Sequence, residues 1–205
     1  MTRLLIMGPP GSGKGTQAVR IADKMAIPAI STGDIFRYNV KELTELGKEA
    51  KSYIDAGNFV PDEVTNRMVA DRLNQSDATN GFLLDGYPRT AGQVEALNKI
   101  LEEQGESLTA VLVLEVPDDE IIERLMARAE TEGRSDDTEE VIKHRLELYH
   151  KETSDLIESY VEQSIVGRVD GTGAIDDITE RLLQTIYNIR ARTGTLPIIK
   201  PRTGN

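Results

Sequence analysis

The stretch Gly8-Pro9-Pro10-Gly11-Ser12-Gly13-Lys14 places Gly8 and Gly13 five residues apart, with a lysine directly after the second. Glycines at this density let successive backbone N–H groups turn inward around an anion, and the lysine adds a mobile positive charge. This is the chemistry of a polyphosphate cradle. The apolar run Arg3–Met7 reads as a strand and Thr16–Met25 as a helix, the context that separates a phosphate loop from an ordinary glycine-rich turn. A helix beginning near Gly15 adds unsatisfied N–H groups and the positive end of its dipole. The loop departs from the simple pattern at one place. Gly15 stands where a Ser or Thr hydroxyl would face magnesium, and Thr16 follows one place later. The metal must then be held by Thr16, by waters or by a distant carboxylate. Asp85 ends GFLLD, a buried-strand pattern, and would stand at the carboxyl edge of a sheet, where such a carboxylate is needed. The other reading of Asp85 is a helix cap or a turn aspartate before Gly86.

Six arginines extend the same chemistry: Arg37, Arg89, Arg124, Arg128, Arg134 and Arg145. Phosphoryl transfer spreads negative charge over equatorial oxygens, and planar guanidinium groups neutralise it with paired N–H donors. Arg124 and Arg128 share one helix face at i,i+4 spacing. Arg134 lies in a short polar segment, and Arg145 in the helix after it. No obvious general base accompanies them, and a nucleophile that is already a phosphate oxygen needs none. Taken singly, each arginine reads equally well as a surface ion pair; Arg128 could pair with Glu132.

Composition narrows the field. The chain of 205 residues carries a formal net charge of -11, which argues against nucleic acid or an anionic membrane as partner. Cysteine is absent, so disulfides and thiolate metal sites are excluded. With only His144 and His150, a multi-histidine metal centre or a Ser-His-Asp triad is disfavoured. No apolar stretch approaches the roughly 18 residues of a membrane span, and no signal peptide precedes the loop. Met1 reads as the start of a folded domain, and a cytoplasmic monomer is expected.

The elements that must position these groups alternate along the chain. Arg3–Met7, Ile27–Ile30, Gly81–Leu84, Ala110–Glu115 and Ile165–Val169 read as strands. Thr16–Met25, Pro61–Leu73, Thr90–Glu103 and Asp118–Arg128 read as helices between them. Such alternation predicts an α/β fold, a parallel sheet with helices on both faces and its site at the carboxyl ends of the strands. Two regions interrupt it: a mostly helical excursion at 31–60, including Glu45–Asp55, and the polar AETEGRSDD at 129–137. Both follow strands on the ligand side and are expected to act as flaps. A long helix is predicted next, with Asp137 as N-cap and Glu140 three residues on. Thr193–Asn205, with two prolines and no helical period, reads as a loosely held tail.

The motifs GPPGSGKGTQ, STGDIFR, GFLLDGYPRTAGQ, RSDD and VDGTG resemble, in order and approximate spacing over about residues 1–190, those of the adenylate kinases. The resemblance implies a phosphate-loop, three-layer αβα fold with a five-stranded parallel sheet, a helical monophosphate-binding insert and a short lid. The divisions would be core at 1–30, 61–128 and 138–192, insert at 31–60, lid at 129–137 and tail at 193–205. It also implies reversible, magnesium-dependent transfer of the terminal phosphoryl of ATP to AMP, giving two ADP. Carried over by motif, Gly11, Ser12, Gly13, Lys14, Gly15 and Thr16 would cradle the ATP phosphates, with Arg124 and Arg128 facing them and Gly173 near the ATP base. Thr32, Arg37, Asn58, Phe59, Val60, Gly86, Tyr87, Pro88 and Arg89 would form the AMP site. Arg89 would grip its phosphate, Gln93 would read the adenine edge, and Arg134 and Arg145 would clamp the transferring group. Asp34 and Asp85 would orient magnesium-bound water. RAETEGRSDD leaves no room for the zinc subdomain of longer members, so no structural zinc is expected. A UMP/CMP kinase has the same fold, but Thr32 and Gln93 favour adenine. A nucleotide-dependent switch protein is the alternative of another class, and DGYPR with the arginine set counts against it.

Overall fold

The apolar runs become five strands: β1 Thr2–Met7, β2 Ala29–Ser31, β3 Gly81–Asp85, β4 Ala110–Glu115 and β5 Val166–Asp170. The structure, a computed structural model, describes residues 1–132 and 138–194. All strand pairs are parallel, and the order across the sheet is β2-β3-β1-β4-β5. Because helices cover both faces, Leu4, Leu5, Leu83, Leu84, Val111 and Leu112 are fully buried, as near-continuous apolar strands require. Among the described residues no helix is long and apolar enough to cross a membrane.

Register sets the site. Ile6 lies opposite Asp85, so the glycine loop leaving β1 emerges beside the carboxylate that ends β3. The loop runs directly into α1 (Lys14–Met25). Gln17 and Arg20 anchor that helix to α9 (Ile175–Thr193): Gln17 Nε2 donates to the Ile175 carbonyl at 3.0 Å, and Arg20 Nε to Thr179 Oγ1 at 2.9 Å.

The excursion after β2 consists of α2 (Thr32–Lys41) and α3 (Glu45–Asp55), and the chain returns through Gly57–Val60 to α4 (Asp62–Leu73). Ser31 caps α2 by accepting from the Asp34 N–H at 3.2 Å. After β3 comes α5 (Ala91–Glu103), capped by Thr90. On the other side, α6 (Asp118–Glu132) follows β4, and α7 (Glu139–Leu148) comes next. Ile121 and Leu125 of α6 pack with Ile142 and Leu146 of α7 in a small apolar cluster of their own. Truncating one of these leucines to alanine would remove about 2–5 kcal/mol of packing. The cluster also sets the faces that carry Arg124, Arg128 and Arg145.

Three expectations are corrected. The cap of α7 is Thr138, whose hydroxyl accepts from the Val141 N–H at 3.3 Å; Asp137 lies outside the described residues. The predicted long helix is broken. After α7 comes a π-helical turn at Tyr149–Thr153, and only then α8 (Leu156–Val161). Thr193 and Gly194 end and cap α9 rather than opening a tail, and the rest of the predicted tail is outside the described residues.

Candidate active site

A cleft of about 600 Å³ opens over the carboxyl ends of β1 and β3. The glycine loop forms its floor. At Gly11, φ is +83° and an added Cβ would lie 2.7 Å from Leu125 Cγ, so the loop rests directly on α6 and only glycine fits there. The start of α1 directs N–H groups without intrahelical acceptors at the cleft. Ser12 is placed differently from the expected phosphate contact. Its N–H donates to the Pro9 carbonyl at 3.2 Å, and its hydroxyl is buried beneath the loop.

The Lys14 ammonium donates to the loop carbonyls of Gly8 and Pro9, at 2.8 and 2.7 Å. Loss of solvent lowers its pKa to about 8; Asp85 opposes that fall, while Arg89, Arg145 and Arg128 add to it. Burial pushes the Asp85 carboxyl up, against the pull of Lys14 and Arg89. Gly15 faces this carboxylate: an added Cβ would lie 3.6 Å from Asp85 Oδ2. The missing hydroxyl at position 15 therefore leaves room between the loop and the acid. Thr16 lines the cleft from an exposed position. Asp34 also lines it, with Oδ1 accepting from Arg37 Nη2 at 2.5 Å.

Five of the six arginines line this cleft: Arg37, Arg89, Arg124, Arg128 and Arg145. Arg134 lies outside the described residues. Arg124 is held at the edge of the loop, where Nη2 donates to the Gly171 carbonyl at 3.0 Å and pairs with Glu120 at 2.5 Å. Arg89 is the most constrained. Its Nε donates to the Gly86 carbonyl at 2.8 Å, and its guanidinium lies 5.3 Å from the centre of the Phe59 ring. Burial, followed by the charge of Arg145, lowers its pKa to about 10.

A smaller pocket of about 80 Å³ adjoins the cleft, lined by Thr32, Arg37, Asn58, Phe59, Val60, Gly86, Arg89 and Gln93 among others. Thr32 ties the insert to the end of β3, donating to the Gly86 carbonyl at 3.0 Å. At Gly86 (φ +81°) a Cβ would come within 2.8 Å of Thr32 Oγ1 and 2.9 Å of Arg89 Nη2, so any side chain would displace both. Tyr87 turns inward, with its hydroxyl 2.8 Å from Asn66 Oδ1, and is followed by the cis Tyr87–Pro88 peptide. Tyr87 and Pro88 line the cleft, not the smaller pocket. Across the opening, Asn58 Oδ1 meets His144 Nε2 at 2.7 Å, drawing the insert against α7. Gly173 is not among the residues lining either cavity. Arg181 instead holds its turn, donating to the carbonyls of Asp170 at 2.5 Å and Thr172 at 2.8 Å.

Sequence reasoning missed three supporting residues. Thr153, placed by the π-helical turn, donates to the Arg89 carbonyl at 3.0 Å. Arg181 orders the 170–173 turn, and Asp62 contacts Gln93. None lies in a phosphate motif, and each reads in sequence as an ordinary helix residue.

Residues 6–165 match the family model described as adenylate kinase. A protein of Micrococcus luteus named adenylate kinase is 70% identical over 98% of each chain. Adenylate kinases of Pseudarthrobacter chlorophenolicus, 58% identical over 93% of this chain and 100% of the relative, and of Kocuria rhizophila, 57% identical over 91% and 99%, are similar along almost their whole length. With the loop, the arginine-lined cleft and the adjoining pocket in one αβα fold, these likenesses show that the chain belongs to the adenylate kinase family.

Proposed function

We propose how this chain carries out the reaction of its family, the reversible transfer of the terminal phosphoryl of ATP to AMP, giving two ADP. ATP phosphates occupy the glycine loop, contacting backbone N–H groups of Gly11–Thr16 other than that of Ser12. AMP enters the adjoining pocket beneath the insert at 31–60, with its phosphate at Arg89 and Arg37 and its base at Gln93. The observation that carries this reading is the meeting of Lys14 and five arginines in one cleft that leads to Gln93. Arg124 and Arg128 from α6 and Arg145 from α7 approach from the side opposite the insert. Together they neutralise the equatorial oxygens of the phosphoryl in flight. A phosphate oxygen of AMP is the nucleophile, so no protein base is required. The segment expected as a lid begins within α6, which runs to Glu132, and its remaining residues, Arg134 among them, lie outside the described residues.

The donor set fits magnesium arriving with ATP. Among the described residues no cluster of three or more acidic or histidine side chains is placed to hold a metal by itself. Magnesium commonly keeps its waters and takes one or two carboxylates with substrate phosphates. Asp85, and Asp34 beside Arg37, would hold those waters, with the Thr16 hydroxyl as a further oxygen. When bound, the ion would supply charge neutralisation at the phosphates.

Chromatography of products from magnesium, ATP and each of AMP, CMP, UMP and GMP tests the reading. ADP formed from both nucleotides with AMP is the expected result. Preference for CMP or UMP would overturn the acceptor assignment, and ATP binding without transfer would favour a nucleotide switch.

Lys14 gives a pH prediction. ATP phosphates favour the ammonium form, so binding draws a proton onto Lys14 above its free-protein value of about 8. ATP affinity should be flat below that value. Above it, affinity should fall by up to about tenfold per pH unit. Calorimetry at pH 8.5 in two buffers of different ionisation enthalpy should show proton uptake. Absence of uptake would refute the assignment.

A further inference from the structure

We infer that Asp62 is a positioning residue for base selection: it fixes which way the Gln93 amide faces in the monophosphate pocket. This rests on the reading that Gln93 meets the base. Gln93 is 2% exposed and lines the smaller pocket from the first turn of α5. Its two ends are held by partners of opposite kind. The Arg89 backbone N–H donates to Gln93 Oε1 at 2.8 Å, and Gln93 Nε2 donates to Asp62 Oδ1 at 2.8 Å. A peptide N–H can only donate and an ionised carboxylate can only accept, so one amide orientation satisfies both contacts.

Asp62 is itself held. Its other oxygen accepts from Thr90 Oγ1 at 2.6 Å, and Thr90 Oγ1 accepts from the Gln93 N–H at 3.2 Å. At Gly92 an added Cβ would lie only 2.9 Å from Asp62 Oδ2, so a glycine there lets the carboxylate approach α5.

The consequence is chemical. After these two contacts the Gln93 amide retains one N–H and one lone pair. It presents them as a donor and an acceptor in fixed order. Adenine offers a 6-amino donor beside a ring-nitrogen acceptor, which that order can match. A 6-oxo purine offers an acceptor at the same exocyclic position and a donor at N1. Only a flipped amide meets that pattern. Glutamine is nearly symmetric in shape, so its selectivity between 6-amino and 6-oxo purines depends on the lock.

Asp62 also has a plain structural use. It opens α4, where a negative charge is favourable. That use predicts lower thermal stability on substitution but no change in base preference. The measurement is therefore the ratio of kcat/KM for AMP to that for IMP. This ratio does not depend on how much of the protein is folded. Gln93→Leu removes the reading group and is expected to reduce the ratio. Asp62→Ala removes the lock on Nε2, while the Arg89 N–H remains on Oε1. Its ratio is expected to fall about tenfold, within what one bidentate base contact discriminates. Asp62→Asn offers either a donor or an acceptor to Gln93 and should fall between Asp62→Ala and the parent. Glu63→Gln removes the adjacent, exposed first-turn charge and should leave the ratio unchanged.

A ratio lowered by Gln93→Leu and by both Asp62 variants, but not by Glu63→Gln, supports the inference. A ratio lowered by Gln93→Leu but unmoved in both Asp62 variants overturns it and leaves the Gln93 reading standing. A ratio unmoved by Gln93→Leu overturns the Gln93 reading and this inference with it. A fall in Glu63→Gln as large as that in Asp62→Ala would assign the effect to the helix start and also overturn it.

Discussion

Lys14→Met is expected to lower kcat by about 10³-fold, the scale of removing a principal charge-stabilising donor from a phosphoryl or acyl transfer site. Methionine keeps much of the lysine stem and removes only the ammonium. That ammonium donates to the Gly8 and Pro9 carbonyls, and loss of solvent, with smaller contributions from Arg89, Arg145 and Arg128 and against the pull of Asp85, lowers its pKa to about 8. The linkage sign follows. The unfolded lysine keeps its proton to about pH 10.4, whereas the folded one loses it nearer 8, so below that pH the folded state carries a strained charge. Removing it should leave the ligand-free melting temperature unchanged or higher. The same substitution should largely abolish the rise in melting temperature that magnesium-ATP produces. Lost activity with retained stability separates a substrate contact from a packing residue. Turnover within tenfold of the parent would reject the assignment of Lys14 to the transferring phosphate.

The legibility of this fold in sequence follows from where its strands lie. A parallel sheet covered on both faces has uninterrupted apolar strands, so β1, β3 and β4 appear as LLI, FLL and VLVL between polar helices. The edge strand β2 was harder to place. Ile27 reads as its first residue, yet the Ile27 N–H donates to the Ala22 carbonyl and completes the end of α1, and Pro28 has no N–H to contribute. The strand therefore starts at Ala29. The phosphate loop was legible because its glycine spacing and lysine are local. Arg128 and Arg145 were not legible as partners on physical grounds alone. Their meeting depends on the Ile121, Leu125, Ile142 and Leu146 cluster, which joins α6 to α7 across residues that read only as polar and charged. The family resemblance supplied that meeting. Neither pattern nor motif indicated the π-helical turn at Tyr149–Thr153, which delivers a hydroxyl to the Arg89 carbonyl from 64 positions along the chain.

Arg89→Lys should reduce kcat/KM for AMP by about 10²–10³-fold, even though the charge is retained. Arg89 is positioned by its shape. Its Nε donates to Gly86, its guanidinium lies over the Phe59 ring, its N–H holds Gln93 and its carbonyl accepts from Thr153. The two backbone contacts survive substitution, but Lys has neither an Nε donor on a rigid plane nor a flat cation for the ring. Its ammonium would be one flexible point charge where Arg offers a fork to two phosphate oxygens. The loss should fall on the AMP side, with ATP affinity changed by less than about threefold, because the proposed binding mode puts the ATP phosphates at the glycine loop rather than at Gly86. Calorimetric titration with each nucleotide, together with initial rates, makes the comparison. An equal loss toward both nucleotides would mean that Arg89 shapes the whole cleft rather than gripping the acceptor. Retained kcat/KM for AMP would mean that charge alone suffices, and that the contacts with Gly86 and Phe59 serve packing instead of phosphate capture.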